Sequence, residues 1–468
     1  MKSDYLGIRK QLTKYKKTQN LTHHINKENL IQKHKELNGN KATGVDKVTK
    51  EQYNANLETN IDNLVARMKK MQYKPIPSKR VYIEKANGKL RPLGIPSYED
   101  KIVQGVIADI LNIIYEPKFL DCSYGFRPNR DCHMAIKKID EIIMKGKTNY
   151  IVEADIKGFF DNINHDWLIK FLEHDIDDKV FVRYIKRFLI AGIMQDEKYY
   201  DTESGTPQGG LISPILANVY LHYVLDLWFE LYVKVKCKGK CYLVRYADDF
   251  VACFENKEEA EWYYKELIER LAKFNLEIEN NKTRIFPFGP NSTTRDNFDF
   301  LGFTIHNGKT RTGKYAVKYK TDEKKSKQKK ENIKEYLKLN RDIKITDIIA
   351  HLNKVLIGYY NYYGISFNFN WLGEIYGYTI QQLKKWLNRR SQRGKMTWER
   401  ITTIIKYCKL AKPRITYSLW QIQRLLWRAV CEKDACTVPW GAVVFFLSSH
   451  IRKEVNIYER KWKLFTRQ

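Results

Sequence analysis

The sequence predicts an α+β fold, a ferredoxin-like layer of strands and helices followed by a basic α-helical region. Three observations carry that expectation. Short apolar runs of strand length, Tyr150-Ile-Val-Glu-Ala-Asp-Ile, Tyr242-Leu-Val-Arg-Tyr and Phe250-Val-Ala-Cys-Phe, alternate with helical stretches near 164–190, 212–232 and 257–275. Residues 307–400 then carry 22 Lys and Arg against 8 Asp and Glu. Within them Ile345, Ile348, Ile349, Leu352, Val355, Leu356, Tyr359 and Tyr363 recur at helical spacing. With 468 residues, 43% hydrophobic and 13% aromatic, the chain has apolar material for roughly two to four structural units.

Taken in order, residues 1–70 read as basic helices broken at Asn38-Gly39-Asn40 and at Thr43-Gly44-Val45-Asp46. From Lys79 to Ile95 the period changes to two. Val81 and Ile83 alternate with polar neighbours, Asn87-Gly88 supplies a hairpin turn, and Leu93 and Ile95 resume the alternation. A helix follows with Ile102, Val103, Val106, Ile107, Ile110, Leu111 and Ile114 on one face. The apolar runs of the opening paragraph come next, two of them joined by the tight turn Ala247-Asp248-Asp249. Beyond 307, the run Lys324-Lys-Ser-Lys-Gln-Lys-Lys330 opens the helical region. Tyr359, Tyr360, Tyr362 and Tyr363 either stack on nucleic acid or form a core stripe.

Charge narrows the partner. With 83 Lys and Arg against 54 Asp and Glu, the net charge is +29, far above the roughly 2–8 that solubility asks of a small domain. A polyanion is the expected partner, because each neutralised phosphate releases condensed counterions. No stretch reads as a membrane span, and Met1–Asn20 lacks the apolar core of a signal peptide. Neither Cys237-x3-Cys241 nor Cys431-x4-Cys436 is followed by a matching Cys or His pair, so reduced thiols in a cytoplasmic (bacterial) setting are expected rather than zinc.

The chemistry centres on Tyr246-Ala-Asp-Asp249 between two apolar strands, together with Asp155 at the end of an earlier strand. Nucleotidyl transfer to a 3′-hydroxyl uses two Mg²⁺ ions about 3.5–4 Å apart. Mg²⁺ takes hard oxygen ligands, a few carboxylates plus substrate phosphates. Two aspartates at a hairpin tip can meet a third from a neighbouring strand end, and charges at that depth need a partner.

Six motifs stand in order along the chain: Arg91-Pro-Leu-Gly-Ile-Pro96, Ser123-Tyr-Gly-Phe-Arg-Pro128, Asp155-Ile-Lys-Gly-Phe-Phe-Asp161, Gly205-Thr-Pro-Gln-Gly-Gly210 with Ser213-Pro214, Tyr246-Ala-Asp-Asp249 and Phe300-Leu-Gly-Phe303. Their succession resembles reverse transcriptases of the group II intron (maturase) type, over roughly residues 25–415. Gly44-Val-Asp46 looks like that family's N-terminal extension. Leu352–Gly364 and Trp386-Leu-Asn-Arg-Arg390 look like its thumb.

The resemblance implies a right-hand polymerase with ferredoxin-like palm and fingers and an α-helical thumb. Its divisions would be 1–78 (N-terminal extension and start of fingers), 79–145 (fingers), 146–306 (palm), 307–400 (thumb or maturase domain) and 401–468. Asp155, Asp248 and Asp249 would be the catalytic, metal-holding triad for two Mg²⁺ ions, with Mn²⁺ as a substitute and the Ile156 backbone adjacent. Lys85 and Arg91 would clamp the triphosphate, and Gln208 would contact the incoming nucleotide, with Gly209 and Gly210 allowing close backbone approach. Phe160 would be a steric gate that favours dNTPs, its other reading being core packing. Lys282 would lie near the triphosphate or be structural. Lys79, Arg80 and Arg127 would meet the template and primer. Phe300, Leu301 and Gly302 would form a primer grip, unless the aromatics are simply core. RNA template, DNA or RNA primer and dNTPs are the implied partners.

Many members of that family end in an HNH endonuclease, whose paired Cys and His ligands are absent from this sequence. Residues 420–468, with Trp420, Trp427 and Trp440, are expected to form a small helical DNA-binding or docking piece. The resemblance leaves three jobs open. One is an intron-encoded reverse transcriptase and maturase. Another is a free-standing enzyme of phage defence, a CRISPR locus or DNA repair. The third is a non-catalytic RNA-binding splicing factor.

Overall fold

Four helices open the chain, Leu6–Lys14, Lys27–Glu36, Lys50–Ala55 and Leu57–Lys69, and the expected Gly/Asn breaks fall between the second and third. The third starts on a capping box, Thr49 with Gln52, which satisfies two backbone N–H groups at once. These helices share a core with the long helix Tyr98–Tyr115, which buries all seven apolar positions expected of it. Its N-terminus is capped by Ser97, whose hydroxyl accepts from the Asp100 N–H at 3.1 Å. The computed structural model describes residues 5–84, 90–195, 198–201, 204–206, 209–279, 283–292, 294, 296–390 and 395–419. The chain divides into two units, 1–417 and 418–468. Only Ser418 and Leu419 of the second are described, so the expected C-terminal docking piece lies outside the described residues.

Strand β1 (Ser78–Glu84) pairs antiparallel with β2 (Leu90–Ile95), with Lys79 opposite Ile95 and Ile83 opposite Arg91. The expected turn at Asn87-Gly88 lies outside the described residues. Next come β3 (Tyr150–Ala154), the short strands β4 (Ile193–Gln195) and β5 (Lys198–Tyr200), then β6 (Cys241–Tyr246), β7 (Asp249–Phe254) and β8 (Arg284–Pro287). β4 pairs parallel with β1, completing a four-stranded fingers sheet in the order β2-β1-β4-β5. The palm sheet has the order β6-β7-β3-β8 and is antiparallel throughout. Helix Lys257–Ala272 packs on β3 and β7, and helix Cys132–Lys145 on β6, giving the ferredoxin-like layer that the strand and helix order predicts.

The helical region begins later than its composition suggests. Strands β9 (Asn297–Phe300), β10 (Phe303–Lys309) and β11 (Tyr315–Thr321) form a third sheet in the order β11-β10-β9, so the expected boundary at 307 cuts through β10. The reason is the period-two burial of β11, with Val317, Tyr319 and Thr321 buried and Lys318 and Lys320 between them. Helices proper start at Glu323 and run as Glu323–Leu339, Ile345–Tyr363, Phe369–Asn388 and Trp398–Tyr407. They enclose a second core that includes Ile333, Leu337, Leu352, Leu356 and Leu383. Tyr359 and Tyr360 belong to it and Tyr363 packs against it, so three of the four tyrosines of the stripe serve packing. Among the described residues no helix is long and apolar enough to cross a membrane.

The palm-side helix Cys132–Lys145 is tied to β11 by a buried bond, in which the Tyr319 hydroxyl donates to Asp140 at 2.9 Å. Burial pushes the Asp140 carboxyl up to about 6, against the pull of that bond. An acid raised in the folded state holds its proton more tightly there. Its contribution to stability is therefore full below about pH 4 and is lost as pH rises through about 6. Asp140→Asn stays neutral throughout, so its melting temperature should gain on the parent's between about pH 4 and pH 7. A difference that stays flat across that range would contradict the assignment.

Candidate active site

The register of the palm sheet brings the acidic residues together. Ala154 of β3 lies opposite Phe250 of β7, the last pair of that register, and Asp155 and Asp249 are the residues immediately beyond it. Tyr246 pairs with Asp249 to close the β6–β7 hairpin, which leaves Ala247 and Asp248 at its tip. Asp155 and Asp248 are half-buried and Asp249 is exposed. Burial pushes the Asp248 carboxyl up, and the negative charge of Asp155 pushes the same way. A backbone bond, Arg91 and Arg245 pull it back. Arg91 thus acts on Asp248 from the fingers sheet. Lys85, Gln208 and Lys282 lie outside the described residues.

The backbone beyond Asp155 is held as a short strand extension. The Asp155 carbonyl accepts from Glu279 at 2.8 Å, Lys157 N–H donates to Glu277 at 2.9 Å, and Ile156 bridges Ile278. A short helix, Phe159–Asn162, follows. Phe160 is 8% exposed and lies against Phe159, with ring centroids 5.4 Å apart, and against the exposed Phe126, at 6.5 Å. Its carbonyl accepts from Thr206 N–H at 2.8 Å, which ties the Gly205-Thr206 segment to it. A Cβ on Gly209 would sit 2.7 Å from the Gly94 carbonyl oxygen, so the close approach there is to the chain's own fingers strand.

Other expected residues fall in two groups. Lys79 is exposed and Arg80 half-buried on β1. Phe300 is buried at the end of β9, and Leu301 and Gly302 form the turn into β10 with φ of 52° and 76°. Arg127 requires a correction. It is 6% exposed, ion-paired with Glu116 at 2.8 Å, and donates to the carbonyls of Leu120 and Ser123. Its guanidinium secures the loop after helix Tyr98–Tyr115 and presents no face to a template.

Sequence reasoning passed over Arg245, which is fully buried and paired with Asp226 at 2.5 Å. The signal was present: an arginine inside an apolar strand needs a buried carboxylate. A second neglected contact is Gly125. A Cβ there would run into the backbone of Tyr246 and Ala247, so the Ser123-Tyr-Gly-Phe loop lies directly on the acidic turn.

Carboxylates are the donors that suit a hard divalent cation, and the charge of Asp155 reaches Asp248. Among the described residues no group of three or more His, Cys, Asp or Glu side chains is arranged to hold a metal ion. Like charges at neighbouring positions repel, so a closed cage is not what these groups favour by themselves. Mg²⁺ does not need one, because it is bound by one or two carboxylates with waters and substrate phosphates.

Residues 83–305 match the family described as reverse transcriptase (RNA-dependent DNA polymerase), and residues 326–403 match the group II intron, maturase-specific domain. The group II intron-encoded protein LtrA of Lactococcus lactis subsp. cremoris is 33% identical over 400 residues, covering 67% of this chain and 65% of that relative. The chain therefore spans 65% of the length of that relative. Protein YkfC of Escherichia coli (strain K12) is 32% identical over 306 residues, 58% of this chain and 78% of that one. Among solved structures, telomerase from Candida albicans matches with a TM-score of 0.42 and 13% identity, covering 76% of this chain and 66% of that one.

Gly125→Ala should destabilise the fold by roughly 1–3 kcal/mol, because the added methyl meets backbone and cannot be absorbed by a rotamer change. Chemical denaturation measures this, and an unchanged midpoint would contradict the close approach.

Proposed function

The chain belongs to the group II intron-type reverse transcriptase and maturase family, and we propose that it is an RNA-directed DNA polymerase that extends a DNA or RNA primer with dNTPs along an RNA template. The observation that carries this reading is the β3–β7 register, which sets Asp155 beside the Asp248-Asp249 turn. In it, Asp155, Asp248 and Asp249 are the residues that would hold two Mg²⁺ ions, or Mn²⁺ in their place. When bound, such ions activate the 3′-hydroxyl and neutralise charge on the triphosphate.

The chain's own groups supply the rest. Arg91, whose charge already reaches Asp248, orients the triphosphate, and Lys85 and Lys282 add charge to the same end. Phe160, with its backbone tied to Thr206, stands as the gate against a 2′-hydroxyl, and Gln208 contacts the nucleotide. Lys79 and Arg80 face the template, and the turn at Phe300, Leu301 and Gly302 steadies the primer end. The helix Glu323–Leu339 exposes Lys324, Lys325 and Lys327, a surface suited to the backbone of a duplex or a folded RNA. The maturase-domain match supports an intron RNA as the partner of that surface.

Primer extension on an RNA template with Mg²⁺ and dNTPs tests the reading. Asp155→Ala should lower cDNA synthesis by about 10²–10³-fold or more, while RNA affinity stays within about twofold. A variant that still makes cDNA at the parent's rate would contradict it. Intron RNA should dominate the RNA that co-purifies with the parent, and a defence-locus RNA there would overturn the maturase half.

A further inference from the structure

We propose that Arg245 is a positioning residue for the acidic turn, its buried guanidinium holding the Ala247–Asp248 peptide so that Asp248 faces the metal ions. This rests on the polymerase reading above.

Arg245 lies in β6 at 0% exposure. Its Nε and Nη2 donate to the two oxygens of Asp226 at 2.7 and 2.5 Å. Nη1 donates to Asn218 Oδ1 at 3.0 Å and to the Ala247 carbonyl at 2.9 Å, and Nη2 donates also to Ser123 Oγ at 2.8 Å. These contacts occupy every N–H of the fork. The backbone is fixed as well, since Arg245 N–H donates to the Cys122 carbonyl at 2.7 Å and Tyr124 N–H donates to the Arg245 carbonyl at 2.8 Å.

Stability alone is a poor reason for such a pair. Desolvating two charges is costly, and apolar side chains of similar volume usually serve a core as well or better. The Ala247 bond suggests the reason. Ala247 has φ of 58°, a conformation that residues with a Cβ rarely adopt, and its carbonyl begins the peptide that carries Asp248. The other bonds anchor the guanidinium to separate elements. Asn218 lies on helix Ser213–Leu221, Asp226 ends the π-helical turn His222–Asp226 that continues it, and Ser123 belongs to the loop that covers the acidic turn. Asn218 Nδ2 also donates to the Gly125 carbonyl at 2.7 Å, and Gly125 lies on the backbone of Ala247. The contacts close a ring: Arg245 to Ala247, Ala247 to Gly125, Gly125 to Asn218, and Asn218 back to Arg245. A π-turn is a common device at functional sites, and here it delivers the carboxylate.

The test uses the full chain with Arg245→Met and Asp226→Leu together, which removes both charges at similar volume. The doubly substituted protein also leaves the Asn218, Ala247 and Ser123 oxygens without their donor, so it should fold and melt several degrees below the parent. Its kcat for dNTP addition should fall roughly 10- to 100-fold, with KM for dNTP within about twofold. Mn²⁺ affinity in the presence of primer and template, read from the EPR signal of free Mn²⁺, should weaken by a similar factor. Arg245→Lys keeps the charge and loses the fork, so it should show the same direction, and it decides the matter if the double variant does not fold. Either variant, folded and with the parent's kcat and Mn²⁺ affinity, would overturn the proposal. A parent without polymerase activity removes the earlier reading instead. Mn²⁺ affinity still decides the role of Arg245 in that case, and equal binding by parent and variants overturns it.

Discussion

The antiparallel pairing of β3 with β7 is the constraint on which the rest depends. Ile151 to Ala154 lie opposite Cys253 to Phe250; Val152, Ala154, Phe250 and Ala252 pack into one apolar core, and Ile151, Val251 and Cys253 alternate with them, buried on the other face. A slip of one residue would exchange the two buried faces and set Val251 and Cys253 where Phe250 and Ala252 pack, so the register rests on the fit of side-chain volumes. Asp155 and the Asp248-Asp249 turn then follow at the same end of that pairing. Their repulsion is borne by the apolar contacts beneath them and offset in part by Arg91 and Arg245.

Around that pairing, residues expected to touch nucleic acid often hold the frame instead. The Tyr362 hydroxyl donates to the Leu301 carbonyl at 2.9 Å, and its ring stacks on Phe303 at 5.8 Å. His133, from the palm-side helix, bonds the Tyr362 carbonyl at 2.7 Å and stacks on Tyr417. The turn at Leu301 and Gly302 is therefore braced by thumb tyrosines that are themselves tied to the palm. A primer seated on that turn would be positioned by the thumb and the palm together. Exposed lysines such as Lys324, Lys325 and Lys327 carry part of the net charge of +29 and are left open for a polyanion.

Much of this was legible in the sequence because long periods leave clear traces. The helix Tyr98–Tyr115 and the strands β3, β6 and β7 follow their apolar patterns, and the aspartates stand where strand ends and a tight turn put them. Other features were hidden for physical reasons. Strands β4 and β5 are three residues each, too short to show a period. The lysines of β11 hid its alternation beneath a basic composition. Arg127 turned inward because Glu116, eleven residues earlier, is brought beside it by the chain's path after its helix. Arg245 announced itself as a charge in an apolar run, yet its acceptors come from four places along the chain that only the fold brings together.

The convergence of Asp155 with Asp248 and Asp249 on a common cation can be tested without any turnover. Fe²⁺ in place of Mg²⁺, with ascorbate and peroxide, generates hydroxyl radicals that cut backbone beside the bound ion. The account predicts cuts in two segments at once, around Asp155 and around the Asp248-Asp249 turn, both suppressed by excess Mg²⁺. Cleavage at only one of these segments, or at sites elsewhere that Mg²⁺ does not protect, would contradict it.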